Sequence, residues 1–133
     1  MIKVINISTD KRSQLIDITE KITEEINRAG VESGICRVFV PHTTAGLTIN
    51  ENADPSVVSD IVNYFNERIP WENKSYMHSE GNSAAHIKSS LFGVSLDVII
   101  SSSGPKLGTW QGIYFCEFDG PRSRKVWVKI SSD

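Results

Sequence analysis

With 133 residues, 39% of them hydrophobic and 23% charged, the chain can bury a core without disulfides and is too apolar for a disordered segment. A formal net charge of −2, with the basic residues mostly scattered, excludes a general nucleic-acid binder. No stretch approaches the length of a membrane span, so neither a nucleic acid nor a membrane is expected as partner.

The opening MIKVINISTDKR mixes polar and charged residues into its apolar ones and lacks the run of a secretory signal, which predicts a cytoplasmic protein. Residues 2–8 and 13–18 read as two strands around a polar turn of Thr9, Asp10, Lys11 and Arg12. The period then changes. Ile18, Ile22 and Ile26 recur every four positions, and Gly30 stands where the resulting helix, 19–29, would stop. Residues 34–41, GICRVFVP, form a β-branched strand ended by Pro41; 47–52, LTINEN, is its partner beyond a His42–Gly46 loop. Asp54-Pro55 starts a second helix, because the carboxylate can accept from free amides and proline needs no donor at the first position. Val58, Ile61, Val62 and Phe65 give that helix an apolar stripe up to about Asn66.

From Ile69 to Gly81 the pattern is irregular. Gly81, Asn82 and Ser83 then open a third helix, with Ala84, Ile87 and Leu91 on its buried face and Gly93 just past its end. Val94, Leu96, Val98 and Ile100 alternate with polar residues as a half-buried strand. Two more strands, near 111–118 and 124–131, are joined by the turn Asp119-Gly120-Pro121-Arg122. In the last, Val126, Val128 and Ile130 alternate with Lys125, Trp127 and Lys129, and Arg122, Arg124 and Lys125 are taken to decorate the hairpin. Cys36 and Cys116 lie in apolar runs without CxxC spacing and read as buried, reduced thiols. With no linker or repeat, residues 1–133 form a single domain. The order ββαββααβββ predicts an α+β fold, a mainly antiparallel sheet with about three helices packed on it.

All three histidines fall in two polar stretches, PHTTAGLTINENAD (41–54) and HSEGNSAAH (78–86). Imidazole titrates near neutrality and is a frequent metal ligand, so this company marks a polar site. His42 follows a strand-ending proline and precedes Thr43, Thr44 and Gly46; it either faces a ligand or sits on an exposed hairpin. Asn50 and Asn52 share one strand face and Glu51 takes the other, while Asp54 serves as the helix cap. In the second stretch, Asn82, His86 and Ser89 or Ser90 line one side of the third helix. The amides of Gly81, Asn82 and Ser83 at its start suit a phosphate or carboxylate. Three imidazoles are enough protein ligands for a catalytic zinc-type site, although no HExxH spacing is present. A third stretch, GPKLGTWQG (104–112), is a shaped loop. It offers Trp110 as a stacking wall or as a core or interface anchor, and Gln111 as a hydrogen-bonding amide. Without GxSxG, Walker A or GxGxxG patterns, nucleophilic hydrolase, P-loop and Rossmann chemistry are disfavoured.

PHTTAGLTINENAD, HSEGNSAAHIKSSLFG and the closing GTWQGIYFCEFDGPRSRKV together resemble the YjbQ-like family, also called secondary thiamine-phosphate synthases, across essentially the whole chain. The resemblance implies an α+β domain assembled as a homotrimer with clefts near subunit boundaries. It also implies an activity, joining a hydroxymethylpyrimidine diphosphate to a thiazole phosphate to give thiamine phosphate and diphosphate. The family's polar positions fall here on His42, Thr43, Thr44, Asn50, Glu51, Asp54, His78, Glu80, Asn82 and His86, with Gly108, Thr109, Trp110 and Gln111 in a third motif.

Residues and resemblance together lead us to expect a small enzyme acting on a phosphorylated or otherwise anionic small molecule. His42, Glu51 and His86 are the expected catalytic residues, with Glu51 or Glu80 accepting a proton or orienting a histidine. Thr43, Thr44, Asn50, Glu80, Gly81, Asn82, Ser83, Trp110, Gln111 and, if it folds inward, Arg122 are expected to bind the anion. His42, His78 and His86 are the expected ligands of a divalent metal, zinc or magnesium. Two alternatives stay open: a non-catalytic anion- or metal-binding trimeric module, and a metal-dependent hydrolase.

Overall fold

Short alternating segments dominate the chain, and they pair into two antiparallel sheets rather than one. In the computed structural model, which describes residues 1–133, the first half holds β1 (Ile2–Ser8), β2 (Gln14–Asp17), α1 (Thr19–Ala29), β3 (Gly34–Phe39), β4 (Ala45–Glu51) and α2 (Pro55–Arg68). The second half holds α3 (Ser83–Phe92), β5 (Ser95–Ser101), β6 (Gly104–Pro105), β7 (Gln111–Glu117) and β8 (Ser123–Ser132). One sheet has the order β1-β8-β3-β5-β6 and the other β2-β7-β4. Three helices on antiparallel sheets in one domain agree with the expected α+β class.

The sheets stack as layers. Inward residues of the larger sheet (Ile5, Ile7, Cys36, Val38, Val98, Ile100, Val126, Val128) meet Ala45, Leu47, Ile113 and Phe115 of the smaller one. Ile18, Ile22 and Ile26, from the start and stripe of α1, complete this core. The other face of the smaller sheet, through Leu15, Tyr114 and Cys116, packs under α2 and α3. Being the middle strand of the middle layer, β7 is buried on both faces along nearly its whole length. Both cysteines are buried and free, and burial pushes the Cys36 thiol up to about 11 and that of Cys116 higher still. No helix is long and apolar enough to cross a membrane.

Two expectations need correction. The β1/β2 and β7/β8 pairs are not hairpins, because each connection carries the chain from one sheet to the other. These two crossings lie side by side and bond each other: Thr9 N–H donates to the Arg122 carbonyl, and Gly120 N–H to the Arg12 carbonyl. The buried face of α3 also differs. Ile87 and Leu91 are 41% and 64% exposed, and Ala84, Ala85, Lys88 and Ser89 face inward. The cause is close approach, which favours small residues at the contact. A Cβ on Gly46 of β4 would stand 2.7 Å from the Gly93 carbonyl oxygen and 3.1 Å from the Phe92 Cβ. The Asp54 cap is as expected, its carboxylate accepting from the Ser56 amide.

Candidate active site

Three connections cross between the sheets at the same end of the molecule: 9–13, 40–44 and 118–122. A buried ion pair ties them. Glu117, at the end of β7, is fully buried, and Arg124, near the start of β8, is 5% exposed. Arg124 donates from Nε (2.8 Å) and Nη2 to the two Glu117 oxygens, and from Nη2 to Thr44 Oγ1 (2.8 Å). Glu117 also accepts from Thr9 Oγ1 (2.8 Å) and from the amides of Phe118 and Asp119 (3.0 Å each). Burial pushes the Glu117 carboxyl up, but these donors outweigh it and hold its pKa below the ordinary value.

Beside this pair opens a pocket of about 600 Å³ between the 40–44 connection, the start of α3 and the 119–124 segment. Its polar lining is His42, Thr43, Thr44, His78, Glu80, Asn82, His86, Asp119, Arg122 and Arg124. His42 stands just beyond β3, where its Nε2 takes the place of a strand carbonyl and accepts the Lys125 amide at 2.9 Å. An amide can donate only to an unprotonated ring nitrogen, so the neutral ring carries its proton on Nδ1. Burial, then the nearby Arg124 guanidinium, hold the His42 pKa below the usual imidazole value, so it is neutral at pH 7.

Ser89 Oγ donates to the Thr43 carbonyl at 2.6 Å and pins α3 to the His42 loop. One turn earlier on α3, His86 packs edge-to-face against His78, ring centroids 5.4 Å apart. His78 Nε2 is 3.9 Å from Glu80 Oε1, a contact between exposed side chains that contributes little. Asp119 is the local organiser. Its carboxylate accepts from Asn82 Nδ2 (3.0 Å) and Arg122 Nη2 (2.9 Å), and its carbonyl from Arg122 Nε (2.7 Å). Because the Asp119 carboxylate demands the amino end of the Asn82 amide, Asn82 Oδ1 is left buried without a partner, the one such side-chain atom in the chain. Arg124 Nη1 likewise makes no bond within the chain but is not sealed from the pocket. The pocket lining thus combines imidazole and guanidinium N–H donors with one buried acceptor, Asn82 Oδ1, a set suited chemically to groups rich in acceptors.

Eight of the expected residues meet here: His42, Thr43, Thr44, His78, Glu80, Asn82, His86 and Arg122. Glu51, Asn50, Trp110 and Gln111 do not. They cluster at the far end of the β4–β7 pair, where Asn50 faces Gly112 and Glu51 faces Gln111 in register. The length of β4 puts that end roughly 20 Å from Thr44. Each has a local task there. Glu51 accepts the Asp54 amide, Asn50 Oδ1 the Glu51 amide, and Gln111 Oε1 the Gly108 amide, while Trp110 is 62% exposed. The Gly81 amide is not free, since it donates to the His78 carbonyl, and Ser83 lines an adjoining hollow that shares His78 and His86 with the pocket.

Sequence reasoning missed Asp119, Glu117 and the inward turn of Arg124. A signal was present: Arg124 shares the parity of Val126 and Val128, the inward face of β8. As for a metal, no group of three or more His, Cys, Asp or Glu side chains within one chain is arranged to hold one. His42 Nε2 is also already spent on the Lys125 amide. A three-histidine metal centre therefore does not fit the donor set of a single chain.

Comparison with known proteins shows the family and the fold. The family model described as UPF0047 protein YjbQ-like matches residues 3–133. The UPF0047 protein YugU of Bacillus subtilis is 51% identical over 130 residues, covering 98% of either chain. A UPF0047 protein of Methanocaldococcus jannaschii is 57% identical over 127 residues, 96% of this chain and 91% of the other. Among solved structures, a YjbQ/UPF0047-family protein of Clostridium acetobutylicum superposes with TM-score 0.94 at 52% identity, covering 97% of this chain and 99% of that one. A protein of unknown function from Sulfolobus solfataricus reaches TM-score 0.93 at 29% identity, over 100% and 97% of the two chains.

Proposed function

This chain belongs to the UPF0047 family of YjbQ-like proteins, and we propose that its histidine–arginine pocket is an active site for a phosphorylated or otherwise anionic small molecule. The observation that carries the reading is the convergence of a neutral His42 Nδ1–H, Arg122 and Arg124 on one concave surface. Fixed donors of this kind stabilise charge that grows on a leaving oxygen, and they need no reorganisation when it does. His86, packed edge-to-face with His78, is the proton carrier in this reading, and Glu80 its acceptor or orienting partner.

The specific reaction we put forward is the one the family resemblance implies. The ring nitrogen of a thiazole phosphate attacks the methylene carbon of a hydroxymethylpyrimidine diphosphate. The carbon–oxygen bond breaks, and diphosphate leaves with the electron pair. The arginines and His42 hold the departing diphosphate, and no step is routed through a metal. Turnover of these two substrates is the assay. His42→Ala and His86→Ala are expected to lower it by about 100-fold or more with unchanged circular dichroism. Full turnover in both would remove the assignment, and binding without turnover in the wild type would leave a binding module instead.

We also read the protein as cytoplasmic, supported by its two free thiols, and as a homotrimer. The outer face of the larger sheet supports assembly, since Ile2, Val4, Ile35, Phe39, Ile99 and Trp127 are all exposed there, with Phe39 and Trp127 stacked at 5.7 Å. Sedimentation of the protein as a monomer would contradict it.

A further inference from the structure

Helix α3 carries a second buried polar group on the side away from His86. Lys88 is two residues on, roughly 200° around the helix, and is 3% exposed. It lines a separate cavity of about 270 Å³ together with Arg12, Ser13, Asn66 and Trp71. Nζ donates to Asn66 Oδ1 and, at 3.4 Å, to Ser13 Oγ, both of them neutral groups. Arg12 lies over the Trp71 ring, 4.1 Å from its centroid. Neither cation has a carboxylate partner, for the ion pairs of the chain are made by Arg28, Arg37, His78, Arg122 and Arg124.

This arrangement is costly if it only packs. A buried ammonium without a counter-charge destabilises a fold, and the exposed Arg12 guanidinium at the mouth of the same cavity adds repulsion to that burial. Burial, then the charge of Arg12, hold the Lys88 pKa below the ordinary lysine value, so the two cations act on one another. A leucine or methionine would fill the same space at no electrostatic cost. We infer that the cavity is a second anion site, which takes a small phosphate-class oxyanion between Lys88 and Arg12 with Trp71 as its wall. Asn66 and Ser13 hold the Lys88 ammonium in position beneath it.

The test is titration of the full-length, ¹⁵N-labelled chain with inorganic phosphate at constant ionic strength, following the Trp71 indole N–H resonance assigned by its loss in Trp71→Phe. A saturable shift in the millimolar range is expected. It disappears in Lys88→Met, weakens by about tenfold or more in Arg12→Ala, and persists in His42→Ala, which alters only the other pocket. Should Lys88→Met fail to fold, the surface variant Arg12→Ala decides alone. A Trp71 resonance that does not move, moves without saturating, moves equally in the Lys88 and Arg12 variants, or loses its response in His42→Ala would overturn the inference.

Discussion

Replacing Glu117 by glutamine tests whether the buried pair holds the three crossings together. The carboxylate accepts five bonds, from Thr9 Oγ1, Arg124 Nε and Nη2, and the amides of Phe118 and Asp119. An amide offers one acceptor oxygen in place of two and turns an NH2 toward groups that are themselves donors. It also leaves the Arg124 guanidinium, 5% exposed, without a counter-charge. Removing one partner of such a pair costs about 3–5 kcal/mol. For a chain of this size that lowers Tm by roughly 10–20 °C, readable by thermal circular dichroism. The double variant Glu117→Gln/Arg124→Met removes both charges and is expected to recover much of the loss. The pair also gives a pH signature. The folded Glu117 pKa lies below its ordinary 4.5, so its stabilisation is present above that value and is lost as pH falls through the folded pKa. Glu117→Gln should therefore flatten the acid limb of the stability curve. A loss below about 1 kcal/mol, or no recovery in the double variant, would refute the reasoning.

Three further outcomes follow from the same geometry. His42 is held neutral in the fold, so its contribution to stability is full above about 6.5 and is lost as pH falls through its lower folded pKa; His42→Phe should remove that part of the pH slope in urea titrations. Gly46→Ala forces a Cβ into the Gly93 carbonyl and the Phe92 side chain, and should lower both Tm and turnover by displacing α3 with His86. Lys88→Met, which removes an unpaired buried ammonium, should leave Tm in phosphate-free buffer unchanged or raised; a fall of several degrees would contradict it.

Much of the fold is legible in the sequence because it rests on local periodicity. The isoleucine stripe of α1, the Asp54-Pro55 start of α2 and the alternation of β8 are each set by neighbouring residues, and the structure has them where the sequence places them. Pairing is a different matter. A short polar turn such as Thr9–Arg12 or Asp119–Arg122 serves a hairpin or a crossing between sheets equally well, and only the long-range partners distinguish them. The same holds for the inner face of α3. The apolar period points to Ile87 and Leu91, but α3 meets β4 where Gly46 approaches Ser89, Phe92 and Gly93, and that contact leaves Ile87 and Leu91 outside. The pocket inherits both effects. Its histidines share polar motifs and were visible, whereas Glu117 and Asp119 act through contacts spanning the chain. Glu51 and Trp110 belong to equally polar motifs, yet they lie at the other end of the β4–β7 pair, Glu51 closing β4 and Trp110 preceding β7.

In the proposed function the histidines and the two arginines form one anion-binding active site. NMR of the imidazole nitrogens during titration with inorganic diphosphate tests it most directly. Saturable shifts of His42 and His86 are expected, with His42 neutral and protonated on Nδ1 throughout, and loss of the response in Arg124→Met. Imidazole resonances that stay fixed while diphosphate binds elsewhere, or that show His42 protonated on Nε2, would contradict it.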